Sequence, residues 1–92
     1  MTDTELLDGF RRGNLPAFRH VDHVRVAWLY ILRGEQHRFA TDLQRFAAAH
    51  GASAKYDEAI TRAWLERIEA RPPAASWPEF AEANPDLMRF TR

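Results

Sequence analysis

The chain has 92 residues, 46% of them hydrophobic and 28% charged, which is the composition of one folded domain and not of a disordered segment. Its 13 basic and 13 acidic side chains give a formal net charge of zero, so the net positive charge typical of nucleic-acid-binding proteins is absent. A net charge near zero also means that little charge repulsion opposes formation of a homodimer. Because the chain has no cysteine, disulfides, thiolate catalysis and cysteine-ligated metals are excluded.

Apolar residues recur with the helical period and strand signals are nearly absent, so the sequence predicts an all-α fold. The first helix is expected over residues 3–12, where Thr2 and Glu5 have the spacing of a capping box and Gly13 follows the last turn. The second helix is predicted over residues 19–33, and a glycine ends it.

The remaining predicted helices follow after short connections. The third covers residues 38–50, and the fourth starts near Lys55 and ends before a pair of prolines. Two further start signals, at Ser76 and at Asn84, predict one or two short terminal helices. Since short loops favour antiparallel neighbours, we expect residues 1–92 to form a single domain, a small antiparallel bundle of four to five helices.

The inward faces of three predicted helices each carry an ionisable side chain near one helix end. A helical wheel places His20 and His23 on the apolar face of the second helix, Asp57 at the head of the fourth and His50 in the last turn of the third. If these helices alternate in direction, the four side chains converge at one end of the bundle. The other members of the three stripes are Val24, Ala27, Ile31, Phe39, Leu43, Phe46, Ala47, Thr61, Trp64 and Ile68.

This pattern is typical of a metal site. Two histidines three residues apart on a helix can present both imidazoles to one ion, and a carboxylate from a facing helix completes a ligand set with open positions. The sequence therefore predicts His20, His23 and Asp57 as ligands of a transition metal ion, for which Fe, Zn and Cu are all suitable. Tyr56 and Thr61 are expected to donate supporting hydrogen bonds.

Each of these residues also has a purely structural interpretation. A histidine pair at a helix start can simply bond to backbone or to a nearby carboxylate. Asp57 is placed where an aspartate caps a helix, and His50 lies beside a glycine at a helix C-terminus, where a cation is favoured by the helix dipole.

The segment FRHVDHVRVAWLYI, together with KYDEAIT later in the chain, resembles a family of small, uncharacterised, all-helical bacterial proteins. The motifs of that family are F-x-H-x-x-H-V/L-x-x-A-W-x-Y-L and K-Y-H-E-T-I-T, and the resemblance covers about residues 15–68. It implies that His20 and His23 match the paired histidines of the family. Asp57 stands where the family has histidine, and Ala59 where it has threonine, which shifts a three-histidine set toward a two-histidine, one-carboxylate site.

The leading hypothesis is a small metal-binding protein, or a metalloenzyme that activates water or dioxygen or polarises a small-molecule substrate. In that case Glu58 or His50 would be the catalytic acid–base group.

Two alternatives stay open. One is a metal-free interaction module with a structural or pH-sensing histidine pair, and the other is a metal-free acid–base enzyme that uses His23 and Asp57. No nucleic-acid or membrane partner is expected, because the chain lacks a basic recognition stripe and an apolar run of membrane-spanning length. The acidic N-terminus lacks the features of a signal peptide, so we expect a cytoplasmic protein.

Overall fold

The computed structural model describes residues 1–90, and within that range it is all-α, with no strand, as the sequence predicts. Five α-helices and two short 3-10 turns follow one another along the chain. The helices are α1 (Asp3–Arg12), α2 (His20–Leu32), α3 (Gln36–Ala49), α4 (Glu58–Glu69) and α5 (Trp77–Ala83), and the turns are Ser53–Lys55 and Pro85–Met88. In the described part of the chain, no helix is long and apolar enough to cross a membrane.

The ends of α1 are formed by the residues that the sequence indicates. The Thr2 hydroxyl accepts the Glu5 N–H at 3.1 Å, and the Glu5 carboxylate accepts the Thr2 N–H at 3.0 Å. At the other end, Gly13 has a φ of 69°, a left-handed conformation that glycine adopts without steric cost. The predicted capping box and C-terminal glycine are therefore both confirmed.

The start of α4 corrects the prediction of a helix from about residue 55. The chain forms a separate 3-10 turn over Ser53–Lys55, and α4 begins only at Glu58. The reason is that Asp57 is in an extended conformation and its carboxylate accepts the Ile60 N–H at 2.9 Å, which makes it the N-cap residue.

The central element is α2, which contacts α1, α3 and α4. It is buried on more than one side, and Val26 and Tyr30 are 0% exposed. The Tyr30 hydroxyl donates a hydrogen bond of 2.7 Å to Asp42 of α3, a carboxylate that is itself 8% exposed. The α2–α3 interface thus contains a paired polar group within an apolar core.

The C-terminal residues pack onto the same core. Leu87 is 0% exposed, and the aromatic side chains of Trp77 and Phe80 lie against Trp28 of α2. The start signals at Ser76 and Asn84 are confirmed as the residues that precede α5 and the second 3-10 turn. The aromatic side chains of α5 therefore complete the core of the chain itself.

Candidate functional site

A cavity of about 390 Å³ lies between α2, α3 and α4. Such a volume falls within the range of small-molecule sites in proteins. Its walls are mainly apolar side chains, namely Phe18, Val24, Ala27, Phe39, Leu43, Phe46, Ala47, Ala52, Ile60, Trp64, Leu65, Ile68 and Phe90. The polar residues that line it are His20, His23, His50, Lys55, Tyr56, Asp57 and Thr61.

The structure brings four of the five predicted site residues to this one cavity. His20 and His23 reach it from the first turn of α2, His50 from the end of α3, and Asp57 from the residue before α4. Glu58 is not among the lining residues; it is exposed and forms an ion pair of 3.6 Å with Arg62. Among residues 1–90, no three His, Cys, Asp or Glu side chains are grouped closely enough to hold a metal ion.

His23 is held in an apolar environment. Its ring stacks on the Phe18 ring, with centroids 4.1 Å apart. Burial is the largest effect on its pKa, and together with the nearby His20 it lowers the pKa from 6.5 to about 4, against smaller opposing effects of Asp22 and the Phe18 backbone. The His23 imidazole is therefore neutral at pH 7, and a neutral imidazole carries one acceptor nitrogen.

His20 is oriented by the C-terminal part of the chain. Its Nε2 lies 3.0 Å from the carbonyl oxygen of Leu87, 67 residues further along. Since a carbonyl can only accept, Nε2 carries the hydrogen of this bond. The ring also packs edge-on against Trp64 and Phe90, at centroid distances of 4.6 and 5.4 Å. One hydrogen bond and two ring contacts thus hold the His20 ring in place.

Asp57 and His50 occupy the two helix ends at this part of the cavity. One carboxylate oxygen of Asp57 is engaged with the Ile60 N–H, and its backbone carbonyl accepts the Thr61 hydroxyl at 2.8 Å. His50 follows the last residue of α3, and its exposed ring packs on Phe46 with centroids 4.3 Å apart. Asp57 therefore has the capping role that its position in the sequence allows.

Tyr56 and Lys55 add two hydrogen-bond donors to the cavity. The Tyr56 hydroxyl oxygen is buried and has no hydrogen-bond partner among the described residues. Burial raises the pKa of Tyr56, as does the charge of Glu58, whereas Thr61 acts in the opposite direction. Thr61 gives its own hydroxyl hydrogen to the Asp57 carbonyl, and it forms no hydrogen bond with the Tyr56 hydroxyl.

The sequence analysis does not assign six of the residues that line the cavity, namely Phe18, Ala52, Lys55, Ile60, Leu65 and Phe90. Lys55 is the only lysine of the chain, which is a usable signal, but the sequence predicts it as the start of a helix, whereas it ends a 3-10 turn. Phe18 lies in the connection before α2, and Phe90 follows the second 3-10 turn. Their positions depend on how these connections fold back, for which a helical wheel carries no information.

Comparison with family models, with curated proteins and with solved structures finds no match to this chain. The resemblance of residues 15–68 to a bacterial family therefore stays a prediction.

Proposed function

We propose that this protein binds a small, mostly apolar molecule in the cavity between α2, α3 and α4, and that the neutral His23 ring accepts a hydrogen bond from it. The observation that carries the proposal is a neutral imidazole at the wall of an apolar cavity of about 390 Å³. This combination is typical of small-molecule sites, where apolar walls supply affinity and a few polar groups supply orientation.

The size of the cavity limits the ligand. At about 30 Å³ for each water-sized group, it accommodates on the order of thirteen non-hydrogen atoms. A fused bicyclic ring with one small substituent is of this size. Trp64 and Phe46 offer aromatic surfaces in the wall, so a planar ring is a suitable probe.

His23 is the residue best suited to accept a hydrogen bond from such a ligand. The lowered pKa keeps the His23 ring neutral at pH 7, and a neutral imidazole has one acceptor nitrogen. Because a pKa this far below the working pH makes the ring a weak base, the expected interaction is a hydrogen bond and not a proton transfer. The proposal is metal-free and keeps His23 from the predicted pair of His23 and Asp57, whereas the Asp57 carboxylate caps α4.

The test is a calorimetric titration with 2-naphthol and 2-methoxynaphthalene, which differ only in whether a hydroxyl hydrogen is available. We expect the protein to bind 2-naphthol about fivefold more tightly, the ratio that a net hydrogen bond of about 1 kcal/mol gives. In His23→Leu this preference is expected to disappear, while binding of 2-methoxynaphthalene is retained.

A pair of alanines on α3 provides the matched control for the cavity itself. Ala47 lines the cavity, whereas its neighbour Ala48 is exposed and does not. Ala47→Phe is expected to weaken binding of both naphthalenes at least tenfold, and Ala48→Phe to leave it unchanged. Equal effects of the two substitutions, or no binding to the parent, would contradict the proposal.

A second candidate is the transition-metal site predicted at His20 and His23, with Fe, Zn or Cu as the ion. It is favoured by the bond from His20 Nε2 to the Leu87 carbonyl, since a metal-binding histidine usually donates its second nitrogen to such a group. Asp57 is a weaker candidate as third ligand, because one of its oxygens caps α4. The test is metal analysis of the parent protein and of the His20→Ala/His23→Ala variant, both purified without a histidine tag. Stoichiometric metal in the parent that is lost in the variant would support the site. Absence of stoichiometric metal from the parent would contradict it.

A further inference from the structure

We infer that the ligand of this cavity carries a carboxylate, bound by the Lys55 ammonium and the Tyr56 hydroxyl, with its apolar body inside the bundle. The inference rests on the proposed function and adds the chemical class of the ligand. It starts from two adjacent residues that line the cavity. Within residues 1–90, the Tyr56 hydroxyl has no hydrogen-bond partner and the Lys55 ammonium forms no ion pair.

The Tyr56 hydroxyl is the first of these groups. A buried polar group without a hydrogen bond is costly, of the order of 1–3 kcal/mol, so nearly all such groups in folded proteins have a partner. Tyr56 lines the cavity and its hydroxyl oxygen is buried, but no described residue bonds to it. An acceptor atom of a ligand bound beside Tyr56 would satisfy this hydroxyl.

The second group is Lys55, the only lysine of the chain. It ends the 3-10 turn Ser53–Lys55 and forms no ion pair with any residue of 1–90, although eight ion pairs involve arginines there. The two acidic residues that follow it in sequence are engaged elsewhere, Asp57 with the N-terminus of α4 and Glu58 with Arg62. Its charge is thus available at the cavity.

A carboxylate suits this pair of donors better than other small groups do. It has only acceptor positions, so it can accept from the ammonium and from the phenol at the same time. An amine would instead face the Lys55 charge, and it would leave the Tyr56 hydroxyl without an acceptor. Because the remaining walls are mainly apolar, the rest of the ligand is expected to be hydrocarbon or aromatic.

Three matched probes test the charge: 2-naphthoate, its neutral analogue 2-naphthamide and the cationic 2-naphthylmethylamine. We expect calorimetry to give 2-naphthoate an affinity about tenfold above that of either analogue, the effect of one hydrogen bond to a charged group. In Lys55→Met and in Tyr56→Phe this preference is expected to fall severalfold. Lys55→Arg should keep it, and so should Arg33→Met, which removes an exposed cation at the end of α2.

The outcomes separate this inference from the proposed function, because 2-naphthol is measured on the same protein. If 2-naphthol binds but the three probes bind equally, or the amine binds best, the carboxylate inference is overturned and the cavity proposal stands. If neither 2-naphthol nor any of the three probes binds, both are overturned. A preference for 2-naphthoate that persists in the Lys55→Met/Tyr56→Phe double variant would overturn the assignment of these two residues.

Discussion

Acidification between pH 7 and pH 5 is expected to destabilise the protein through His23, and His23→Leu should remove that effect. Burial lowers the pKa of His23 from 6.5 to about 4 in the folded state. Between these two values the unfolded chain binds a proton that the folded protein does not, so the free energy of unfolding falls as the pH falls. The stabilising contribution is fully present above pH 6.5 and is lost as the pH drops toward 4.

The magnitude follows from the two pKa values. A shift of this size corresponds to about 3 kcal/mol over the whole window, and about 2 kcal/mol of it is lost between pH 7 and pH 5. Restricting the comparison to this range limits the contribution of carboxylates, most of which titrate lower.

The assay is urea unfolding followed by circular dichroism at pH 7, 6 and 5. His37→Leu serves as the control, since His37 is an exposed histidine of α3 that does not line the cavity. We expect the parent and the control to lose about 2 kcal/mol more than His23→Leu does over this range. An equal pH dependence in all three proteins would refute the reasoning, because it would mean that His23 is as hydrated in the folded state as in the unfolded one.

Two further predictions concern the elements around the cavity. Asp57→Ala should lower the free energy of unfolding by about 1 kcal/mol, because the hydrogen bond to the Ile60 N–H is lost. Asp57→Ser can still cap the helix and should lower it by only a few tenths of a kcal/mol. Urea unfolding measures both variants, and equal losses would contradict the capping role. Tyr30→Phe removes the 2.7 Å hydrogen bond to buried Asp42 and should lower the free energy of unfolding by about 2 kcal/mol. An unchanged urea midpoint would contradict this, because it would show that water or another donor satisfies the Asp42 carboxylate.

The sequence predicts the parts of this structure that depend on local patterns. The Thr2–Glu5 capping box involves residues within one helical turn, and both of its hydrogen bonds are present. The stripe Asp57, Thr61, Trp64 and Ile68 also lies along one helix, and all four residues line the cavity. Helical period alone is enough to assign these residues to an inward face.

The features that could not be predicted depend on segments distant in the sequence. The bond between His20 and the Leu87 carbonyl joins residues 67 positions apart, and it exists because the C-terminal segment folds back over α2. Asp42 belongs to a residue type that is mostly exposed in proteins, yet it is buried here, where Tyr30 of the neighbouring helix donates a hydrogen bond to it. The unpartnered Tyr56 hydroxyl likewise becomes visible only when every neighbour is in place.

The most direct test of the central claim is an NMR measurement of where 2-naphthol sits, with methyl-labelled leucine and isoleucine. The account predicts intermolecular contacts to the methyl groups of Leu43, Ile60 and Leu65, which line the cavity, and a shift of the His23 ring resonances on binding. Contacts to the methyls of Leu7 or Leu29, core residues that do not line it, or an unchanged His23 ring, would contradict the account.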